Sequence, residues 1–182
     1  MMRVITGIAR GMKIETLKGN DVRPTAERVK EAMFSILQFE LEGRRVLDLF
    51  AGCGQLGIEA LSRGAAQAVF VDASRTSAEM VRRNLQHTHL DGKSRVVISD
   101  AQAFLSGKHE PFDIALLDPP YRQGLLQSVL PLVTKVMKPT GIIVCEHPED
   151  DEVPEVIGDF VRLRQYRYGK IYLTTYRVPT EA

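Results

Sequence analysis

Val46-Leu47-Asp48-Leu49-Phe50-Ala51-Gly52-Cys53-Gly54-Gln55-Leu56-Gly57 carries an apolar, strand-like run into three glycines spaced G-x-G-x-x-G. An acid, Asp72, follows Gly52 by 20 residues and closes the next apolar run. Glycines at a strand-to-helix turn let backbone approach a ligand, and an acid ending the second strand accepts ribose hydroxyls. The stretch therefore predicts a Rossmann-like α/β fold with a site for an adenosine-bearing cofactor. Asp48, inside the first strand, would repel a pyrophosphate. It suits a cationic ligand and can brace the glycine loop.

Outward from this turn, apolar runs at 46–51, 68–72, 95–99, 112–117 and 141–146 alternate with helical stretches at about 55–63, 75–87, 101–106 and 123–137. Such continuous runs suit parallel strands covered on both faces, and the alternation implies βαβ units in a doubly wound sheet. Beyond the acidic Glu149-Asp150-Asp151-Glu152, residues 160–168 and 170–178 read as an antiparallel hairpin turning at Gly169. The expected sheet is mostly parallel and seven-stranded. Upstream, residues 2–17 break at Arg10-Gly11 and read as a small β-hairpin. Thr25 is placed to cap a helix reaching about residue 39, with Glu27 in its first turn and Val29, Met33, Ile36 and Leu37 on one face.

Asp118-Pro119-Pro120-Tyr121 ends the fourth of these strands. Two prolines cannot donate ladder hydrogen bonds, so the strand stops there. The stop leaves a carboxylate, a rigid turn with exposed carbonyls and an aromatic ring. Those parts suit a flat ligand bearing an amino group: two acceptors for its protons and a ring to stack on. Asp72, Asp100 and Asp118 close strands two, three and four, and ligands of open α/β sheets bind at that edge. Asp72 and Asp100 can also cap the helices that follow them. With Asp48, four carboxylates suit a cationic, amine-rich ligand better than a polyphosphate. That favours S-adenosylmethionine over NAD, with Asp100 within reach of an adenine amino group.

With 182 residues, 44% hydrophobic and 26% charged side chains and a net charge of +1, the composition is that of a soluble globular domain. No run reaches the ~18 apolar residues of a membrane span, and residues 1–7 lack the apolar core of a signal peptide. Two cysteines, Cys53 and Cys145, suit a reducing cytoplasm. His87, His89, His109 and His147 form no metal-ligand spacing with them and read as surface residues, so no metal is expected. Cys53 has no partnered histidine and reads as a small loop residue, while Tyr166, Tyr168, Tyr172 and Tyr176 alternate as packing residues of strands.

Charge is uneven along the chain. Residues 1–30 hold seven basic side chains against three acidic ones, and residues 160–178 carry five basic side chains and no acid. Both ends offer a footprint for an anionic polymer. Arg3, Arg10, Lys13, Arg23, Arg28 and Lys30 are the candidate phosphate contacts, and Arg23 is equally suited to tie its loop to the domain.

Together these residues resemble a known family. Asp48 to Gly57, Asp72, Asp100 and Asp118-Pro119-Pro120-Tyr121 are similar to the signature positions of class I S-adenosylmethionine-dependent methyltransferases. The tetrapeptide matches the Asp/Asn/Ser-Pro-Pro-aromatic motif of enzymes that methylate exocyclic or amide nitrogens. Residues 23–34 (RPTAERVKEAMF), 46–52 (VLDLFAG) and 61–65 (LSRGA) resemble bacterial 16S rRNA (guanine-N2)-methyltransferases, the RsmD family. Cys53 stands where that family usually has Ser, Gln55 where it has Ala, and Asp72 where Glu is common.

The resemblance implies a role for each matched residue. Gly52, Gly54 and Gly57 would pass under the methionine moiety of S-adenosylmethionine, Asp72 would bind the ribose, and Asp100 with the Ala101 backbone would hold adenine. Asp118 and the Pro119 carbonyl would accept the two N2 protons of guanine, Pro120 would keep the turn rigid, and Tyr121 would stack on the base. It further implies an RNA-contacting appendage over 1–40, a catalytic domain over 41–182, and 16S rRNA or the small ribosomal subunit as partner. A cytoplasmic monomer is the default expectation. The tetrapeptide also serves adenine-N6 and glutamine-N5 methylation. The glycine pattern alone admits an NAD-dependent oxidoreductase, and the basic ends alone admit a non-catalytic RNA-binding module.

Overall fold

The computed structural model describes residues 2–17 and 24–181. Two short strands, β1 (Met2–Arg3) and β2 (Lys13–Ile14), pair antiparallel with Met2 opposite Ile14. Helix α1 (Pro24–Ile36) leads to β3 (Arg45–Leu49), α2 (Gln55–Ser62), β4 (Gln67–Asp72), α3 (Arg75–His87), β5 (Ser94–Ile98), α4 (Ala101–Leu105) and β6 (Phe112–Leu117). Then come α5 (Leu125–Val133), β7 (Met137–Pro148), β8 (Val156–Ile157), β9 (Phe160–Tyr168) and β10 (Ile171–Arg177). The main sheet has the order β5-β4-β3-β6-β7-β10-β9-β8. Strands β3 to β7 are parallel, and β10, β9 and β8 are added antiparallel.

The α/β fold with its antiparallel hairpin is the one expected, with differences at its margins. The sheet has eight strands, not seven, because β8 covers the edge of β9, Ile157 opposite Phe160. Two residues are too few for alternation to announce a strand. Helix α1 starts at Pro24, so position 25 lies within the first turn rather than at the cap; proline's fixed φ suits that first position. It stops at Ile36 and leaves Phe39 91% exposed. Strand β7 begins at Met137, earlier than its apolar run, because Met137 pairs with Phe112 ahead of a shift in register.

Alternate strand residues go to opposite faces. Val46, Phe70, Ile114, Leu116 and Val144 pack with α1, α2 and α3. Leu47, Leu49, Val71, Leu117 and Ile143 pack with α4 and α5. The strand order reverses at β3, which lies between β4 and β6, so the crevice at the carboxyl ends of these strands is where such a sheet takes a ligand.

The N-terminal segment shares the first of these cores: Met2, Val4, Ala9 and Ile14 join Leu56, Ile58 and Leu61 of α2. Polar contacts fix its position. Glu59 accepts hydrogen bonds from the Ile5 and Thr6 amides (2.8 and 3.0 Å), and the Ser62 hydroxyl accepts from the Ala9 amide (3.0 Å). Gly7 (φ +93°) lies so close to α2 that a Cβ there would fall 1.9 Å from the Ser62 carbonyl oxygen.

Candidate active site

One cleft of about 910 Å3 opens along the carboxyl ends of the parallel strands. Its walls bring together Gly52 of the glycine loop, Asp72 after β4, Asp100 and Ala101 at the start of α4, and Asp118-Pro119-Pro120-Tyr121 after β6. These residues lie far apart in sequence, and each sits where a parallel strand must turn. Thr16, Leu17 and Ala26 of the N-terminal segment line the same cleft.

The glycine loop divides its labour differently from the expectation. Gly52 lines the cleft at φ +59°, and a Cβ on it would meet nothing within 4 Å, so the space beside it is open to a ligand. Gly54 (φ +86°) precedes α2 and packs on Val81. Gly57 lies inside α2, where a Cβ would come within 2.3 Å of the Phe70 ring. Neither Gly54 nor Gly57 lines the cleft: Gly54 lets the loop pack on α3, and Gly57 lets α2 pack on the sheet. Phe50, which does line it, takes the left-handed backbone region (φ 68°) that a non-glycine residue enters at a cost.

Asp48 also lies behind the loop rather than in the cleft. It is buried, and its Oδ2 accepts the Gly57 amide at 2.9 Å. Burial, and more weakly the charge of Asp72, push its carboxyl up to about 8. Through its bond to the Gly57 amide it braces the glycine loop from behind. Asp72 accepts the amides of Gly52 (2.9 Å) and Ser74 (2.9 Å), which pins the loop to the end of β4 while its carboxylate faces the cleft. Asp100 caps α4, with Oδ1 accepting the Ala103 amide at 3.1 Å. Capping and ligand binding are compatible, because each carboxylate oxygen has two lone pairs.

Two residues of this site were not singled out in the sequence, and a third was noted only as a departure from a family pattern. The first is Glu146. Leu117 of β6 is in register with Cys145 of β7, which brings Asp118 beside it. The Tyr121 hydroxyl donates to Glu146 Oε1 at 2.9 Å. Burial, followed by the neighbouring Glu146 charge, holds the Asp118 carboxyl well above the carboxylate range, and burial raises Glu146 too. Buried Asn84 of α3 is the second: its Nδ2 donates to the carbonyls of Glu15 and Cys53 (both 2.9 Å), and its Oδ1 accepts the Glu15 amide (2.9 Å). One side chain thus joins the N-terminal segment to the glycine loop. The third is Gln55, whose carbonyl oxygen is buried at the cleft wall with no partner among the described residues. A buried acceptor without a donor is costly, and a ligand's ammonium would satisfy it. The only advance signal for Glu146 was an acid ending a strand.

The basic candidates separate. Arg3, Arg10, Lys13 and Arg28 are exposed. Lys30 is not a surface cation: it is 3% exposed, 3.2 Å from Glu59, and donates to the Arg3 carbonyl. Arg23 lies outside the described residues. At the other end, Arg162 and Arg177 pair with Glu155 and Glu40. His147 is buried rather than at the surface, its ring nitrogens bonded to the Pro148 carbonyl and the Thr174 hydroxyl. Among the described residues, no three His, Cys, Asp or Glu side chains could hold a metal, and no helix is long and apolar enough to cross a membrane.

A parallel sheet that reverses at β3, with a glycine loop and a rim of acids around one cleft, defines the Rossmann-like methyltransferase class. Within it, residues 2–177 match the family described as Conserved hypothetical protein 95, and the chain belongs to that family. It is 34% identical over 178 residues to Ribosomal RNA small subunit methyltransferase D of Escherichia coli strain K12, covering 97% of this chain and 89% of that one. It is 38% identical over 181 residues to YlbH of Bacillus subtilis strain 168, covering 97% and 98%. The solved structure of Escherichia coli yhhF matches with a TM-score of 0.87 at 34% identity, covering 98% of this chain and 99% of that one.

Proposed function

We propose that this protein uses S-adenosylmethionine to methylate the exocyclic N2 of a guanine in 16S ribosomal RNA. The observation that carries the reading is the convergence, in one cleft, of an adenosine-type end (Gly52, Asp72, Asp100) and an amine-accepting end (Asp118 to Tyr121). The family relation to a small-subunit rRNA methyltransferase supports the choice of RNA. The residues fit the cofactor: Asp72 offers acceptors for ribose hydroxyls, Asp100 and the Ala101 amide suit the adenine edge, and the orphaned Gln55 oxygen suits an ammonium. When bound, S-adenosylmethionine supplies a methyl group on a sulfonium.

The chain's own part is orientation. Guanine N2 is a weak nucleophile because its lone pair is delocalised into the ring. Asp118 and the Pro119 carbonyl accept its two protons, which favours a pyramidal nitrogen and aims the lone pair, while Tyr121 holds the base by stacking. An amine inside a stack or pair is out of reach, so the nucleotide is taken unpaired or flipped. The exposed Arg3, Arg10, Lys13 and Arg28 are free to serve as phosphate contacts. The N-terminal 40 residues act as the RNA-contacting part and the remainder as the catalytic part.

Tritium transfer from labelled cofactor to 16S rRNA or small subunits from a strain lacking the protein, followed by nucleoside analysis, tests this. N2-methylguanosine that disappears with Asp118→Ala is expected. Label in N6-methyladenosine or in protein, or none at all, would overturn the reading.

A further inference from the structure

Glu146 belongs to none of the roles above. It does not line the cleft, yet it stands directly behind two residues that do. Its Oε1 takes the Tyr121 hydroxyl at 2.9 Å, and its carboxyl lies within hydrogen-bonding reach of Asp118. Three elements meet there: the end of β6, the proline turn, and β7, whose pairing with Leu173 of β10 holds Glu146 in place. We infer that Glu146 is a positioning residue for the transfer site, fixing the Tyr121 ring through its hydroxyl and holding one proton in common with Asp118.

The physical reason is charge. Two carboxyls this close in a water-poor setting cannot both be ionised, so the pair carries one proton and one negative charge near neutrality. Burial raises both groups; the Glu146 charge raises Asp118 further, whereas hydrogen bonds from Tyr121 and Asp118 pull Glu146 back down. The titratable and charged groups facing the pair are Tyr121 and Asp151 from the proline turn and acidic loop, Asp48 from β3, and His147 on β7 itself. Tyr121, with its hydroxyl given to Glu146 and beside two acids, is held as the neutral phenol.

A single shared charge serves the chemistry of the proposed function, on which this inference rests. Transfer forms an N–C bond from the nitrogen lone pair as the C–S bond breaks toward sulfur. The nitrogen then gives one of its two protons to a carboxylate oxygen of the pair, which releases it to solvent with the product. A doubly protonated pair has no oxygen free to take that proton.

The test is a pH titration of assigned Asp and Glu carboxyl carbons by NMR, on wild-type protein and Glu146→Gln. Neither cofactor nor RNA is needed, so its outcome is separable from that of the substrate assignment. In wild type, Asp118 and Glu146 should follow one shared two-step curve. In E146Q, whose amide still accepts from Tyr121, Asp118 should titrate in a single step at lower pH. Independent one-step curves in wild type, or an unmoved Asp118 curve in E146Q, would overturn the proposal. In turnover assays, Glu146→Ala should lower kcat by roughly a hundredfold with cofactor affinity unchanged, as expected when a base-stacking ring loses its alignment. Unchanged kcat in that variant would equally refute it.

Discussion

Lys30 of α1 and Glu59 of α2 face each other at 3.2 Å in the interior, with side-chain exposures of 3% and 0%. Glu59 gathers four further ties around this pair: the Ile5 and Thr6 amides, Arg63 Nε at 3.0 Å and, through Lys30, the Arg3 carbonyl. The pair is the polar joint between the N-terminal segment and the helix that follows the glycine loop. Removing one partner of a buried pair costs up to roughly 3–5 kcal/mol, less where, as here, Arg63 still faces the remaining carboxylate. Lys30→Met should therefore lower the midpoint of denaturant unfolding substantially. Arg28→Gln, on the exposed side of the same helix, should leave stability nearly unchanged, weaken RNA binding and reduce the salt slope by about one. Urea titration and filter binding at several salt concentrations separate the two roles.

Asp48 should give stability a recognisable pH signature. Its folded-state carboxyl is raised from 3.8 to about 8. Between those values the folded protein holds a proton that the unfolded chain has released. Stability attributable to Asp48 is thus fully present below about pH 4, falls as pH rises through the window, and levels off above about 8. The slope for one such proton is at most about 1.4 kcal/mol per pH unit. Asp48→Asn, which keeps an acceptor for the Gly57 amide, should flatten the decline between pH 5 and 8. Unfolding curves measured across that range would show it.

The three loop glycines should fail in different ways. Gly57→Ala drives a methyl group into Phe70 and should cost about 1–3 kcal/mol; adding Phe70→Leu should recover part of the loss. Gly52→Ala meets no protein atom within 4 Å and carries only the backbone cost of its φ of +59°, roughly 1–2 kcal/mol. Its methyl group shares the cleft with the ligand, so cofactor binding should suffer more than folding. Thermal unfolding beside calorimetric titration with S-adenosylhomocysteine distinguishes the two.

Tyr121 has two separable functions, the stacking face and the hydroxyl. Tyr121→Phe keeps the first and loses the 2.9 Å bond to Glu146, so turnover should drop less than in Tyr121→Ala. Neither change should much affect cofactor affinity. Equal loss of kcat and cofactor binding in Tyr121→Ala would contradict a stacking role.

The fold was legible because its signals are local. Glycines next to an apolar run, acids closing successive runs and a double proline after Asp118 each constrain a few neighbouring residues, and backbone sterics act at that range. Five parallel strands, the hairpin at Gly169 and the acids gathered at one edge could thus be read from the chain alone. The pairing of Asp118 with Glu146 could not, since it follows from β6 and β7 being neighbours in register. Nor could the withdrawal of Lys30 from the surface, because its partner Glu59 lies 29 positions on, across a helix packing that no periodicity encodes. Gly57 and Asp48 carry the same lesson: both match a binding motif, and both are spent on holding α2 against the sheet. Residue type and spacing determined which chemistry is available; burial and long-range contact decided which side chains are free to perform it.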